Sequence, residues 1–483
     1  MSLDLSDVRV AVLGLGVSGQ ASARALRRGG AVVTLVDDDA APHPDACRLG
    51  APVIGGRDLD LDEIDLVVAS PGWPPWRAPL SAAVGRVDVW SEVELAWRTR
   101  ARPDAAWLCL TGTNGKTTTV EMTGAIARAA GRRAIAAGNV GRPLVEAVSD
   151  PTIDVFACEL SSFQLHFTHS LAPTASLLLN IAPDHLDWHE SFDEYIRDKA
   201  RVADGAERAV VVGPDAGLGR IVDRWAHPDP AARRVRVTPG PPARGELGVA
   251  DCVIVDRAWA DDTGREVAAI ADIAHLAPPA NARQAGADMP RPLVLDALGA
   301  IALARAGGVD GPAIGAGLRG FALGEHRMSI VGRDGGIVYI NDSKATNPHA
   351  TEADFDGFAP RSVVWIAGGQ TKGTSMDALV RAIGGTLRGA VVIGKDRTPF
   401  TGPLRRHAPG VPVVEVPDGD TDRVMGSAVR EARHLAQGSG VVLLAPAAAS
   451  WDQFASYAER GKAFVAAVMD IEEPRGREAH HGG

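Results

Sequence analysis

The chain has 483 residues, 46% of them hydrophobic and 23% charged, too many for a single core, so two to four domains are expected. Its formal charge of −10 argues against a broad nucleic-acid footprint, which needs a basic face to displace counterions. No apolar run approaches the roughly 18 residues of a spanning helix and the first seven residues carry no basic leader, so neither membrane insertion nor export is expected. Four cysteines, Cys47, Cys109, Cys158 and Cys252, lack metal-like spacing. The last three sit in apolar runs, where buried free thiols are common, and a reducing cytoplasmic setting fits.

The first elements are a strand at Val8–Leu13, a glycine loop, a helix at Gly19–Arg28, and strands at Val32–Val36 and Leu66–Ala69, the last ending in Ser70-Pro71-Gly72. This is a parallel βαβ start. Gly14-Leu15-Gly16-Val17-Ser18-Gly19 fits G-x-G-x-x-G, and Asp37 closes the next strand where a ribose-binding acid would stand. Three readings stay open: a dinucleotide site, glycines serving only close helix–strand packing, or a site for another nucleotide diphosphate. Arg98–Asp104 is polar and contains proline, which places the first domain boundary near residue 100.

A second strand–loop–helix start follows. The apolar run Trp107–Leu110 leads into Thr111-Gly112-Thr113-Asn114-Gly115-Lys116-Thr117-Thr118. Here Gly112 and Gly115 allow close approach to phosphate and Lys116 can reach the terminal phosphates. The Thr117 hydroxyl can ligate Mg²⁺, and the helix N-terminus adds a favourable field. The loop points to ATP. Only Thr113 and Asn114 separate its glycines, so it departs from G-x-x-x-x-G-K-[ST].

Strands are expected at Val155–Cys158, Ser176–Leu179 and Ala209–Val212. Glu159 then stands at a strand's C-terminal end, where a carboxylate can hold Mg²⁺ beside ATP, and His185, in Asn180–Asp187, could ligate a second ion. The plainer reading is that both cap helices. Lys199, in the helical stretch Tyr195–Ala200, reads by default as an exposed lysine. Thr238–Gly245 must be loop, and Val253–Val255 and Val267–Ile270 read as short antiparallel strands.

Leu293–Ala306 is an amphipathic helix stopped by Gly307-Gly308. From Gly324 onward, strands at Ile337–Ile340, Val363–Ile366, Ala390–Ile393, Val411–Val416 and Val441–Leu444 alternate with helices such as Met376–Gly384 and Asp422–Ala436, implying another doubly wound parallel sheet. Three loops after these strands carry chemistry. Asn341–Pro348 offers Asp342 to a ribose and Lys344 to an anion, Gly368–Gly373 is glycine-rich with Lys372, and Pro446–Phe454 holds Ser450, which could equally be a helix cap. The tail from Glu472 is charged and is expected to be disordered.

The expected fold is α/β in three domains: a Rossmann-like domain (1–100), a central P-loop ATPase-like domain (101–323) and a Rossmann-like C-terminal domain (324–470), with a tail at 471–483. No Ser-His-Asp or Cys-His set has a supporting local context, so the chemistry implied is phosphate chemistry.

Thr111–Thr117, the turn Gly138-Asn139-Val140-Gly141, Ser70-Pro71-Gly72, Glu159-Leu160-Ser161-Ser162-Phe163-Gln164-Leu165, Asp342–Asn347 and the run from Ala445 to Gly461 together resemble the Mur ligase family. These are ATP-dependent enzymes that add amino acids to the muramoyl peptide of peptidoglycan, and the resemblance spans roughly residues 8 to 468. It is strongest to the branch that joins D-glutamate to UDP-N-acetylmuramoyl-L-alanine. It implies that Val17, Ser18, Asp37 and Gly72 receive the UDP end, displacing the dinucleotide reading, and that Gly112 to Thr118, with Arg327 and Asp342, bind ATP. Thr117, Glu159, His185 and a carbamylated Lys199 would hold Mg²⁺, with Lys116, Lys199 and His185 in the catalytic role. Asn139, Ser161 and Gln164 would face the muramoyl-alanine, and Lys344, Thr346, Lys372, Ser450 and Tyr457 the D-glutamate. A cytoplasmic monomer is implied.

Two positions depart from the family pattern. Tyr457 stands where phenylalanine is usual, and Met289–Asp296 replaces a Gly-x-His-Asn-x-x-Asn stretch used against adenine, only Asp296 matching a polar position. The Asp-Asn-Pro-Arg motif of diamino-acid ligases is absent from the sequence. Alternatives are a sibling or folylpolyglutamate-type ligase, a nucleotide-binding regulator without turnover, and a dehydrogenase using the Gly14–Gly19 loop.

Overall fold

The computed structural model describes residues 4–38, 51–259, 268–272 and 291–472. Cys47, Met289, Val267 and the tail beyond residue 472 lie outside them. The architecture is three-domain α/β, with three sheets in two compact units: a larger one (4–272 with 293–321) and a smaller one (322–472).

The first sheet comprises β1 (Arg9–Leu13), β2 (Val32–Val36), β3 (Val53–Ile54), β4 (Leu66–Ala69) and β5 (Asp88–Ser91), all parallel, in the order β3-β2-β1-β4-β5. The order reverses between β1 and β4, so the glycine loop after β1 sits at the switch point, where α/β sheets open a crevice. The helix after it, Val17–Arg28, begins two residues earlier than the sequence suggested.

The second sheet comprises β6 (Ala106–Thr111), β7 (Ala134–Gly138), β8 (Val155–Glu159), β9 (Ala175–Leu178), β10 (Ala209–Val212), β11 (Arg233–Val237), β12 (Glu246–Ala250), β13 (Val253–Asp256) and β14 (Ala268–Asp272). Its order is β14-β13-β12-β11-β10-β9-β6-β8-β7, with β12, β13 and β14 antiparallel. β6 lies between β8 and β9, so the phosphate loop emerges beside the ends of both. The alternating arginines of β11, Arg-Arg-Val-Arg-Val, hid that strand from a search for apolar runs. Cys109 and Cys158 pair across β6 and β8 and are buried, whereas Cys252, expected to be buried, is exposed at the β12–β13 turn.

In the smaller unit, β15 (Ser329–Asp334), β16 (Gly336–Asn341), β17 (Val363–Gly368), β18 (Leu387–Ile393), β19 (Val413–Glu415) and β20 (Ser439–Leu444) run in the order β15-β16-β20-β17-β18-β19. All but β15 are parallel. Every residue of β17 is buried, as helices covering both faces of a parallel sheet require. No helix among the described residues is long and apolar enough to cross a membrane.

The first two sheets share one core. Trp90, Val93, Trp107, Leu144 and Phe156 belong to a single buried cluster. Two carboxylates of the helix Glu92–Thr99 cross this junction with opposite consequences. Glu94 is fully buried but accepts from the His169 and Ser170 amides, the Ser170 hydroxyl and Arg98, and these bonds outweigh its desolvation and hold its carboxyl below the ordinary range. Glu92 accepts the Val145 amide at 2.7 Å, but its Oε2 has no hydrogen-bond partner among the described residues. Burial pushes its carboxyl up to about 7, against the pull of the Val145 and Leu144 amides.

A raised folded pKa means that the proton favours the fold. The stabilisation from Glu92 is complete below pH about 4.5 and is lost as pH rises toward 7, up to about 3 kcal/mol. Glu92→Gln keeps the acceptor and removes the charge. Its melting temperature is expected to exceed the parent's by several degrees at pH 8 and to converge with it near pH 5, as thermal denaturation across pH would show.

Candidate active site

β6 ends at Thr111, and the helix Lys116–Ala129 starts behind Gly115, which adopts φ +78°. The loop between them is braced from outside. Asn180, following β9, accepts the Thr113 and Asn114 amides on Oδ1, both at 2.9 Å, and donates Nδ2 to the Asn114 carbonyl at 3.0 Å. The Thr113 hydroxyl lies 2.8 Å from the Tyr195 hydroxyl and accepts the Ala182 amide. With the Thr113 and Asn114 amides engaged by Asn180, the N-terminus of the helix Lys116–Ala129 is the part of the loop that can receive an anion. Neither Asn180 nor Tyr195 stood out as a site residue in the sequence. The signal for Asn180 was its place directly after a strand that neighbours β6.

Gly115 is required by space as well as by φ: a Cβ there would fall 2.1 Å from Asp296 Oδ1. Asp296 thus packs against the phosphate loop from the helix Arg291–Ala306. The one polar position retained where the adenine motif is lost is therefore next to the loop.

Lys116 Nζ donates to the Thr113 carbonyl at 2.8 Å. Lys199 is not the exposed lysine expected: it is 2% exposed, and Nζ donates to the Gly112 carbonyl at 2.7 Å and the Thr111 hydroxyl at 3.2 Å. The helix Phe192–Ala200 turns it under the phosphate loop, with its ammonium position 4.9 Å from the Tyr195 ring. Burial, then the charge of Lys116, pulls its pKa well below the lysine range, against the carboxylates of Asp184, Glu159 and Asp198. The site therefore favours the neutral amine.

Glu159 ends β8 and is 1% exposed. Its Oε1 accepts Asn139 Nδ2 at 3.0 Å, while Oε2 has no hydrogen-bond partner among the described residues. A buried carboxylate oxygen left open fits a divalent cation, which would repay its desolvation. The Asn139 turn is held by its amide on the Glu159 carbonyl and by Gly138 at φ +107°, where a Cβ would meet that carbonyl at 2.3 Å. Glu159 caps no helix. The cap of the helix Ser162–His166 is Ser161, in a reciprocal box with Gln164. Gln164 Oε1 is thereby occupied by the Ser161 amide and hydroxyl. His185 is not a cap either, since Ser191 caps the helix Phe192–Ala200. His185 lies edge-on to Phe163, ring centroids 4.7 Å apart, with φ +54°.

At the first sheet's switch point, Asp37 Oδ2 accepts the Leu15 amide at 2.8 Å and closes the glycine loop. A Cβ on Gly19 would lie 1.8 Å from the Gly14 carbonyl, so that glycine serves packing, while Gly16 and Gly72 face open space and Val17 is exposed.

In the smaller unit the adjacent strands β16, β20 and β17 end side by side, and their loops carry Asp342, Lys344, Thr346, Lys372 and Ser450. Asp342 is buried and its carboxyl is raised by desolvation; Asp354, hydrogen-bonded to it, is raised further, by burial and then by the charge of Asp342. Lys344 Nζ stands 4.1 Å from the Tyr457 ring centroid, and Lys372 Nζ stands 4.7 Å from that of exposed Trp451. Trp451 was missed in the sequence despite following Ser450. The glycine-rich loop is tied to the Ser450 loop by paired backbone bonds between Gln370 and Ala449, at 2.8 and 3.1 Å. Ser450, 2% exposed, caps no α-helix: Ser456 accepts the Glu459 amide at the start of the helix Tyr457–Glu472.

Comparison with known proteins places the chain in a family. The Mur ligase middle domain matches residues 110–232 and the Mur ligase glutamate ligase domain residues 326–448. The chain is 46% identical over 471 residues to UDP-N-acetylmuramoylalanine--D-glutamate ligase of Streptomyces avermitilis, covering 96% of this chain and 98% of that one. The chain belongs to the Mur ligase family, in its MurD branch. The Mycolicibacterium smegmatis protein of the same name is 44% identical over 95% of this chain and 96% of its own. The same Mur ligase fold is seen in the pseudomurein peptide ligase type C of Methanothermus fervidus, with a TM-score of 0.57 at 16% identity over 96% of this chain and 100% of that one.

Proposed function

We propose that this Mur ligase joins D-glutamate to UDP-N-acetylmuramoyl-L-alanine at the expense of ATP, through an acyl phosphate, in the cytoplasmic synthesis of peptidoglycan precursors. The observation that carries the reading is the pair of lysines, Lys344 and Lys372, each over an aromatic ring on neighbouring loops, in a chain 46% identical to a D-glutamate ligase. Two cations suit an amino acid with two carboxylates.

In the reaction, an oxygen of the alanyl carboxylate attacks the γ-phosphorus of ATP, forming the acyl phosphate as the bond to ADP breaks. The D-glutamate amine then attacks the acyl carbon, phosphate leaves, and the nitrogen gives up a proton. Lys116 and the amides at the N-terminus of the helix Lys116–Ala129 neutralise the phosphates, and Asn180, holding the Thr113 and Asn114 amides, keeps the loop from reorganising. Mg²⁺ would be held by Glu159, the Thr117 hydroxyl, His185 and a carbamylated Lys199, and it supplies charge neutralisation at the transferring phosphoryl group. Arg327 and Asp342 contact the nucleotide. Asn139, Ser161 and Gln164 face the muramoyl-alanine, and Val17, Ser18, Asp37 and Gly72 receive the UDP. Thr346, Ser450 and Tyr457 complete the D-glutamate pocket.

Phosphate release from ATP and Mg²⁺ with UDP-N-acetylmuramoyl-L-alanine tests this, run with D-glutamate, L-glutamate, L-alanine or no amino acid. Release is expected only with D-glutamate and the nucleotide sugar together. Release with another amino acid would reassign the pocket, and silence throughout would leave a nucleotide-binding regulator.

A further inference from the structure

Arg460, in the first turn of the helix Tyr457–Glu472, is among the largest fully buried side chains, 1% exposed. Its Nε donates to the Ser343 hydroxyl at 3.1 Å and its Nη2 to the Ser343 carbonyl at 3.0 Å. Its Nη1 donates to the Ala448 carbonyl at 3.1 Å and the Gly368 carbonyl at 3.4 Å. Ser343 precedes Lys344, Gly368 opens the loop of Lys372, and Ala448 lies two residues before Ser450. The Ser343 hydroxyl donates to the Tyr457 carbonyl at 2.7 Å, closing the circuit at the residue whose ring faces Lys344. One guanidinium therefore touches all three loops of the pocket. The fit leaves no slack: a Cβ on Gly369 would lie 3.2 Å from Nη1 and 2.3 Å from the Ala449 carbonyl.

All of these partners are neutral oxygens. A buried cation without a bonded carboxylate is an expensive way to fill space, and an apolar side chain of similar volume would pack at lower cost. Burial accordingly draws the guanidinium down to about 9. What an apolar side chain could not do is hold three carbonyls and a hydroxyl at fixed angles, which the planar fork of arginine does.

We propose that Arg460 is a positioning residue of the amino-acid pocket, setting Lys344, Lys372 and Ser450 in the register that receives the two carboxylates of the incoming amino acid. This rests on the D-glutamate reading above. Arg460 reaches the substrate only through the loops it holds.

The test uses the full chain as Arg460→Lys and Arg460→Met, with KM measured separately for D-glutamate, ATP and the nucleotide sugar, beside melting curves. A lysine amine cannot span the four acceptors, so its KM for D-glutamate is expected to rise about 10-fold or more while the other two KM values stay within about twofold. Methionine is expected to raise it further, with guanidinium ion at millimolar concentration restoring part of the loss in Arg460→Ala. If Arg460→Met does not fold, Arg460→Lys decides. An unchanged D-glutamate KM in folded Arg460→Lys, a parallel rise in all three KM values, or loss of the fold in both variants would overturn the proposal. The unaltered enzyme is the control: failure to use D-glutamate there would sink the functional reading instead.

Discussion

Lys116→Ala is expected to abolish ADP formation, lowering kcat by at least about 10³-fold while the melting curve stays close to the parent's. Lys116 is the first residue of the helix Lys116–Ala129, where alanine is the better helix former, and its bond to the Thr113 carbonyl is a single contact within the loop's own turn. Asn180 still braces the loop through the Thr113 and Asn114 amides, and the helix N-terminus remains. What goes is the positive charge beside the phosphates, together with its second effect. Lys116 helps to push the pKa of Lys199 down, so without it the Lys199 amine is protonated more readily. The two lysines therefore act as a unit, and the double variant with Lys199→Met should be little worse than either single one. Single-turnover ADP formation measures this; turnover retained in Lys116→Ala would refute the phosphate-loop assignment.

Lys199→Met should be comparably severe, at least about 10³-fold, because on the proposed mechanism it removes the group that would ligate the metal once carbamylated. Carbon dioxide adds to the neutral amine with loss of a proton, and the structure supplies that amine: burial first, and the nearby Lys116, disfavour the ammonium. The sign follows. A lysine with a lowered folded pKa is more often neutral at a given pH than a free lysine, and its neutral fraction grows as pH rises through the folded value. Enzyme depleted of carbon dioxide should lose ligation and regain it on addition of bicarbonate. Lys199→Met should respond to neither. Bicarbonate-independent activity in the parent would remove the carbamate from the mechanism.

The phosphate loop could be read directly because its chemistry is contiguous: glycines, lysine and hydroxyls within eight residues, between an apolar strand and a helix. Glu159 was legible for a related reason, since a strand that ends in a carboxylate puts it at the sheet's C-terminal edge. Lys199 was not. Nothing in Phe-Asp-Glu-Tyr-Ile-Arg-Asp-Lys-Ala marks the lysine as inward, and its partners Thr111 and Gly112 lie 88 and 87 residues away. The brace from Asn180 spans 66 residues, and Arg460 reaches Ser343 across 117. Cys252 failed in the other direction, since an apolar neighbourhood in sequence became an exposed turn once β12 and β13 folded back on each other.

By itself the sequence determined the α/β class, the phosphate loop and the strand ends on which the chemistry stands, which follow from hydrophobic period and residue type over a few neighbouring positions and act locally; its motifs carried the resemblance to an ATP-using ligase family. Only the tertiary structure decided which polar groups are buried together: the amine of Lys199 under the phosphate loop, the open oxygen of Glu159, and the guanidinium of Arg460 among three loops. Desolvation and charge coupling depend on distance in space, and that distance is set by strand order, which brings β6 between β8 and β9 and β20 between β16 and β17.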